Sequence, residues 1–343
     1  MKFDVVVGNP PYQDMNVGEN NQAVPIYHSF YDLAEKVASK YTLISPARFL
    51  ANQGATPKKW NQKMLTDKHI NIEYFNAKSD EVFPNVDIKG GIVIIFRDKN
   101  KIFGEIDTFI PFTELRSIFH KVKSITKENM SNFVYSPDSY RFTDCLFIEN
   151  PYLIGRTDKA HAKAVASSVF SRYPEIFFTT KPDDGEDYIQ IYGRTKGARI
   201  YYWLKRKYIA NHANLDKWKV FVPGANGTGA FGEILSTPVV GSPAIGHNQT
   251  FVSLGEFDTE FEAEALLKYL KSKFARSMLG IMKTTQNNQS KITWSKVPLQ
   301  NFTKNSDIDW SRSISDVDQQ LYIKYSLAEN EINFIESKVK PMN

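Results

Sequence analysis

Cysteine is almost absent. Cys145 stands alone among 343 residues, which excludes an internal disulfide and fits a reducing cytoplasm. Long hydrophobic runs are missing too. No apolar stretch approaches the roughly 20 residues that span a bilayer, and the first apolar run is a five-residue strand rather than the core of a signal peptide. A cytoplasmic chain with no membrane partner is therefore expected. Neither charge sign is in large excess: 43 Lys and Arg against 38 Asp and Glu give a net +5, compatible with a polyanion partner but not diagnostic of one. Nuclease and helicase motifs are also missing. Asp307 and Asp309 have no Glu-x-Lys beside them, so a capping role for Asp307 is expected rather than a metal site. Core material is ample, with 42% hydrophobic and 24% charged residues, and the length accommodates two domains.

The chain is organised around its opening stretch. Phe3 to Val7 is an apolar, β-branched run that Gly8 ends, and Asn9-Pro10-Pro11-Tyr12 follows at once, where a strand gives way to a loop. In open α/β sheets the carboxyl ends of strands are where ligands bind. Two prolines fix φ and donate no N–H, so nearby carbonyls are left as acceptors. The Asn9 amide oxygen and the Pro10 carbonyl are suited to accept both hydrogens of one exocyclic amine, and Tyr12 to lie against a planar ring. That set suits a flipped-out adenine. The amine of adenine is a poor nucleophile because its lone pair is delocalised into the ring. Two acceptors localise that pair and aim it at an electrophilic methyl group without a charged base, by preorganisation and proximity. A bare Asn-Pro-Pro-Tyr reads more readily as a strand followed by a proline-rich turn; Phe3 to Gly8 directly before it turns the balance to the functional reading.

Downstream, Asp14 to Pro25 is polar and Gly/Asn-rich and reads as a mobile loop over the site. Ile26 to Ser39 has helical spacing, and Tyr41 to Pro46 reads as a strand. A helix is expected over Pro57 to Thr66, with Thr56 as N-cap and Pro57 at its first position. Ile70 to Asn76 and Gly91 to Arg97 read as two more strands. The order is that of the later half of a doubly wound α/β sheet closing in a hairpin.

Phe3 to Tyr12 resembles the catalytic motif of the adenine-specific (N6) DNA methyltransferases of restriction–modification systems, the Asn-Pro-Pro-Tyr family. The resemblance implies S-adenosylmethionine as cofactor, amine contacts at Asn9 and Pro10, Pro11 within the same catalytic tetrapeptide, and Tyr12 stacked on the target base. It further implies that Phe83, in Val82-Phe83-Pro84, sandwiches the base from the other side, and that Ser45 to Leu50 borders the pocket. The implied fold is α/β, a partial Rossmann-like class I methyltransferase sheet over residues 1–110 with a mixed α/β target-recognition domain over 111–343. The family's first half, a strand ending in a Gly-rich turn that holds the cofactor, has no counterpart before Phe3. The cofactor-binding residues are therefore unknown, and a second chain carrying that half, with restriction or translocase subunits, is an expected partner beside double-stranded DNA. Gly224 to Gly232 is a candidate cofactor turn, a DNA-facing hairpin loop or a plain β-turn; no helix follows it.

The second half carries a basic stretch. Between 191 and 220, Arg194, Lys196, Arg199, Lys205, Arg206, Lys207, Lys217 and Lys219 face a single acid, Asp216. Basic residues interleaved with Tyr201, Tyr202, Trp203 and Tyr208 suit phosphate contacts, so Arg194 to Lys207 are the candidate DNA-binding residues; a solvated helix face is the alternative. Phe261 to Met282 has one continuous helical pattern with acids early and bases late, and a last helix is expected over Glu329 to Val339. A DNA-binding module without turnover remains the rival to the enzyme.

Overall fold

The computed structural model describes residues 3–14, 24–52, 55–84, 88–283 and 285–342. They fall into two compact units, Met1–Arg116 with Ile281–Thr285, and Ser117–Gly280 with Gln286–Asn343. Both are mixed α/β.

In the first unit β1 (Phe3–Gly8), β2 (Ala38–Pro46), β3 (Ile70–Asn76) and β4 (Ile92–Asp98) form one sheet in the order β1-β2-β4-β3. β1 runs parallel to β2, with Val6 opposite Tyr41 and Gly8 opposite Leu43. β4 is antiparallel to both its neighbours, and Ile92 faces Pro46 on one side and Asn76 on the other. The carboxyl ends of β1, β2 and β3 therefore share one end of the sheet. A parallel pair needs a crossover, and α1 (Tyr27–Val37) supplies it. Its buried positions Tyr27, Tyr31 and Ala34 recur at helical spacing. With α2 (Lys58–Thr66) they cover one face of the sheet through Tyr41, Leu43, Phe49, Trp60, Met64 and Val93. Val6 packs against this cluster, whereas Phe3, Val5 and Val7 alternate to the other face and are exposed at 51, 49 and 72%.

One sequence expectation is corrected here. Pro57, not Thr56, is the N-cap of α2, and it makes no side-chain capping bond. The Thr56 hydroxyl instead donates to Asn61 Oδ1 at 2.7 Å.

The second unit holds two further sheets. β6 (Tyr188–Thr195) and β7 (Ala198–Lys205) form a hairpin flanked by β10 (Ile245–His247); β5 (Val134–Tyr135), β8 (Trp218–Pro223), β9 (Val239–Gly241) and β11 (Phe251–Phe257) make the other, ordered β5-β11-β8-β9. Arg194 to Lys205 is therefore strand, turn and strand rather than helix. Lys196 and Gly197, both with positive φ (+47° and +83°), make the tight reversal that a two-residue hairpin demands. Aromatic rings close the core between strands: Tyr192 stacks on Phe251 at 4.4 Å and on Tyr201 at 4.6 Å.

The single helix expected over Phe261 to Met282 is two, Glu260–Lys271 and Lys273–Gly280. Ser272 leaves the helical region because a second N-terminus is built there: Ser272 Oγ accepts from Ala275 N, and the Asp318 carboxylate accepts from Lys273 N and Phe274 N. Asp307 is not a cap either; it pairs with Lys324 at 2.8 Å. Asp309 does the local turn work, accepting from Ser311 N at 3.0 Å. Among the described residues no helix is long and apolar enough to cross a membrane.

The rim of the first sheet rests on Gly91, at φ +78°, where an added Cβ would lie 2.2 Å from the Asn76 carbonyl oxygen. Gly91 O accepts from Ala47 N at 2.9 Å, so a shift there also loosens the loop after β2. Gly91→Ala is expected to lower stability by about 1–3 kcal/mol, checked by urea unfolding; an unchanged midpoint would show that the rim yields freely.

Candidate active site

Asn9 and Pro11 are exposed at the tip of β1, Pro10 is buried and Tyr12 half-buried. Among the described residues the Asn9 carboxamide has no hydrogen-bond partner. The Tyr12 carbonyl accepts from Ile26 N at 3.2 Å, and Asp14 N donates to the Val24 carbonyl at 2.9 Å. The two ends of the expected loop are thereby tied together, while its residues 15–23 lie outside the described residues. Tyr12 points its hydroxyl inward, where Oη is buried without a partner among the described residues, and burial raises its pKa.

Beneath it lies a floor of phenols that the motif alone did not reveal. Tyr31 Oη shares a 3.0 Å bond with Ser45 Oγ and donates to the Leu43 carbonyl at 3.3 Å. Burial pushes the Tyr31 pKa well up, and the neighbouring Tyr27 and Tyr12 add to the shift. Burial likewise takes Tyr27 up to about 12, against the lowering effects of Thr56 and Arg48. The signal for this floor was the i, i+4 spacing of Tyr27 and Tyr31 on the helix that follows the motif. The site is thus neutral: amide, carbonyl and phenol groups, with no carboxylate or imidazole bonded to Asn9–Tyr12 among the described residues.

Phe83 sits at the same end of the sheet, half-buried, with its N–H donating to the Ser79 carbonyl at 2.8 Å. Three strand spacings, about 14 Å, separate the axes of β1 and β3, and no ring contact joins Phe83 to Tyr12 among the described residues. Arg48 is structural: its Nε donates to the Lys89 carbonyl, and Phe49 is wholly buried.

The basic stretch divides in two. Arg194 and Lys196 are exposed at the hairpin turn; Arg194 spends only Nε, on the Gly197 carbonyl. Arg199 is taken up by its own chain, donating to the Ser236 and Thr237 carbonyls. Lys205 pairs with Glu186 at 3.0 Å and Asp184 at 3.7 Å, Arg206 with Asp216 and Asp187, and Lys207 with Glu149 at 2.8 Å and Glu186 at 2.9 Å. Five carboxylates therefore enclose three cations.

Gly224 to Gly232 is filled from within. The Glu233 carboxylate accepts from Thr228 N at 2.8 Å and Gly229 N at 3.0 Å, occupying the place an anion would take, and a Cβ on Gly227 would fall 2.3 Å from that carboxylate. The residues do not fit a cofactor turn. No group of three or more metal-ligating side chains occurs among the described residues.

The carboxylate cage carries a pH dependence. Hydrogen bonds from Lys207 and then Tyr208 hold Glu149 down at about 2, bonds from Lys207 and Lys205 lower Glu186, and the Arg206 bond lowers Asp216. Folded pKa values below the unfolded ones give stability that is complete above the ordinary carboxylate range and lost as pH falls from about 4 toward 2. Changing Lys205, Arg206 and Lys207 together to Ala is expected to flatten the stability–pH curve in that window, measured by denaturant unfolding at stepped pH. A slope equal to the parent's would remove these pairs from the account.

Comparison with known proteins bears on the same end of the chain. Residues 1–83 match the family described as Eco57I restriction-modification methylase. An uncharacterized adenine-specific methylase of Mycoplasma pneumoniae (strain ATCC 29342 / M129 / Subtype 1) is 33% identical over 103 residues, 29% of this chain and 24% of that protein. Among solved structures, the type IIG restriction endonuclease BpuSI is 11% identical with a TM-score of 0.33, covering 94% of this chain and 49% of its own. The type IIL restriction-modification enzyme MmeI, in complex with DNA, is 10% identical with a TM-score of 0.42, covering 98% and 56%. The chain spans about a quarter of the length of its curated relative and about half that of the two solved proteins. Through its leading segment the chain is similar in sequence to the Eco57I restriction-modification methylase family and to an adenine-specific methylase.

Proposed function

We propose that this chain is the catalytic and target-recognition portion of a site-specific DNA adenine N6-methyltransferase of a restriction–modification system, acting in the cytoplasm. The observation that carries the reading is the tip of β1: an exposed Asn9 carboxamide, unpartnered among the described residues, beside Pro10 and followed by a half-buried Tyr12, at the shared carboxyl end of three strands. Asn9 Oδ1 and the Pro10 carbonyl accept the two amine hydrogens of a flipped adenine, Pro11 stiffens the turn, and the Tyr12 ring lies against the base. Phe83, at the same sheet end, closes on the opposite face of the base in this reading. The amine is neutral throughout the approach, which agrees with a site that bonds no charged base to the motif. S-adenosylmethionine supplies the electrophilic methyl group; the described residues offer no cradle for it, so none is assigned to the cofactor.

The strand order β1-β2-β4-β3, with β4 alone antiparallel, supports the later half of a Rossmann-like methyltransferase sheet. The bare Phe3, Val5 and Val7 face supports a covering segment from the cofactor-carrying half, on this or another chain. The domain division proposed remains 1–110 for catalysis and 111–343 for recognition.

Asn9→Ala is expected to cut methyl transfer by at least about a hundredfold, the usual effect of removing one preorganised polar contact, with DNA affinity nearly unchanged. Tritium transfer from labelled S-adenosylmethionine into duplex DNA, run with the polypeptide that supplies the cofactor half, reads the first; equal loss of both quantities would count against the assigned role. A second reading is a DNA-binding module without turnover. Under it, the parent chain binds a specific duplex yet transfers no methyl in any combination.

Phosphate contact is assigned to Arg194 and Lys196. Lys205, Arg206 and Lys207 would have to leave carboxylate partners to make one. Arg194→Ala with Lys196→Ala is expected to reduce the log–log salt slope of DNA binding by about 2, while the Lys205–Lys207 triple replacement leaves it alone. The reverse result would return phosphate contact to the caged cations.

A further inference from the structure

The second unit carries an open polar groove that nothing above uses. Two adjoining depressions, about 580 and 280 Å³, share Ser167, Gln249 and Gln289 on their walls. Asn287 and Ser290 line the larger, and Arg194 stands on the smaller. The smaller is mainly apolar, with Arg194 and Arg199 on its wall, whereas amides and hydroxyls dominate the larger depression. The carboxylate there, Asp138, is already occupied, accepting from Gln249 Nε2. The one aromatic, Phe251, is buried at 1%, so no ring is offered to stack a sugar or a peptide aromatic.

The walls are rigid. Gln289 belongs to a short segment pinned on both sides: Asn288 N donates to the Gly224 carbonyl at 2.9 Å, Asn288 Nδ2 donates to the Pro223 carbonyl at 3.0 Å, and Trp294 Nε1 donates to the Asn288 carbonyl at 2.8 Å. Asn226 N donates to the Gln286 carbonyl at 2.8 Å on the near side. The Gln289 carboxamide itself lies across Gly224, where a Cβ would come within 2.6 Å of its Nε2. It bonds to no other group among the described residues and is exposed. An exposed carboxamide on a pinned backbone stands beside Gln249, whose Oε1 stays open among the described residues while its Nε2 is given to Asp138. With Arg194 on the wall and Lys196 two residues on in the same turn, this set has the chemistry of base-edge reading flanked by phosphate contact.

We infer that this groove is the sequence-reading surface, with Gln289 and Gln249 as specificity-determining residues that hydrogen-bond base edges of duplex DNA while Arg194 and Lys196 hold the phosphates. The inference rests on the DNA-recognition reading above and deepens it. A carboxamide offers a donor and an acceptor side by side, the pattern that matches adenine N7 and N6 in the major groove. Gly224 acts at one remove, as a positioning residue that leaves room for Gln289.

Selection of the full chain on a library of randomised duplexes, at two salt concentrations, tests this. The parent is expected to enrich a motif. Gln289→Ala should relax one or two adjacent positions of it by roughly ten- to a hundredfold, and Gln249→Ala a different position, with the salt slope unchanged. Gln289→Glu keeps the size and should shift the preferred base at the Gln289 position. Gly224→Ala should copy the Gln289→Ala pattern in milder form without removing any DNA-facing group. Variants that enrich the parental motif, or that lose affinity equally for all sequences, overturn the inference. A parent that binds duplexes with no preference at all overturns the DNA-recognition reading itself and this inference with it; a parent that enriches a motif but never methylates it overturns only the catalytic reading.

Discussion

Everything at the proposed site hangs from the parallel pairing of β1 with β2. The register that sets Val6 against Tyr41 sends Val6 into the helix-covered core and leaves Phe3, Val5 and Val7 on the other face. A slip of one residue would exchange those two sets and carry the Asn9 tip about 3 Å along the strand. The frame that β1 joins is fixed by tertiary bonds. Tyr31, at the middle of α1, bonds Ser45 and the Leu43 carbonyl, fastening the crossover helix to the strand it feeds. Trp60 and Phe49 close on the same ring, at 5.6 and 6.3 Å.

The charges follow from this arrangement. The site as proposed, one that would hold an adenine amine, has no use for a fixed cation or anion next to the nucleophile, and among the described residues the motif bonds to none. Charge is placed elsewhere. In the first unit Arg97 bridges Asp67 at 2.7 Å and Glu35 at 3.1 Å. In the second, the cage around Lys205, Arg206 and Lys207 stiffens the foot of the β6–β7 hairpin, whose turn projects Arg194 and Lys196 into solvent. Basic residues crowded in sequence are thus divided in space between holding the hairpin and reaching outward.

How much of this was legible depends on the range of the forces involved. The strands Phe3 to Val7, Tyr41 to Pro46, Ile70 to Asn76, Ile92 to Arg97 and Trp218 to Pro223 could be read because short apolar, β-branched runs bounded by Gly or Pro are local signals. The tip residues were legible for the same reason, as a strand followed at once by two prolines. What escaped the sequence was decided across the chain. Asp318 caps the start of a second helix 45 positions upstream at Lys273, and no periodicity in Phe261 to Met282 marks that break. Arg206 lies ten residues from Asp216, but Lys207 is separated from Glu149 by 58 positions, so a count of basic residues in a window overstated the free charge. Of the three readings open for Gly224 to Gly232, the Glu233 carboxylate that fills the turn removes the cofactor one.

The energetics of the proposed reaction explain why recognition and chemistry need to be joined. Flipping a base out of a duplex costs a few kcal/mol, and stacking on one aromatic ring returns about 1–3 kcal/mol. The two hydrogen bonds the amine would donate to Asn9 and Pro10 replace bonds it makes in water or in its pair, so their net contribution is small, about 0.5–1.5 kcal/mol each. The tip of β1 alone therefore comes near to balance and leaves little preference for one adenine over another. Selectivity has to come from contacts to the neighbouring base pairs, each good pair of hydrogen bonds discriminating by about 1–3 kcal/mol. Phosphate contacts cannot supply it, since they are the same at every site. A rigid amide surface with cations at its rim is what that division of energy requires of the second unit, and a neutral, shallow tip with an open amide is what it requires of the first.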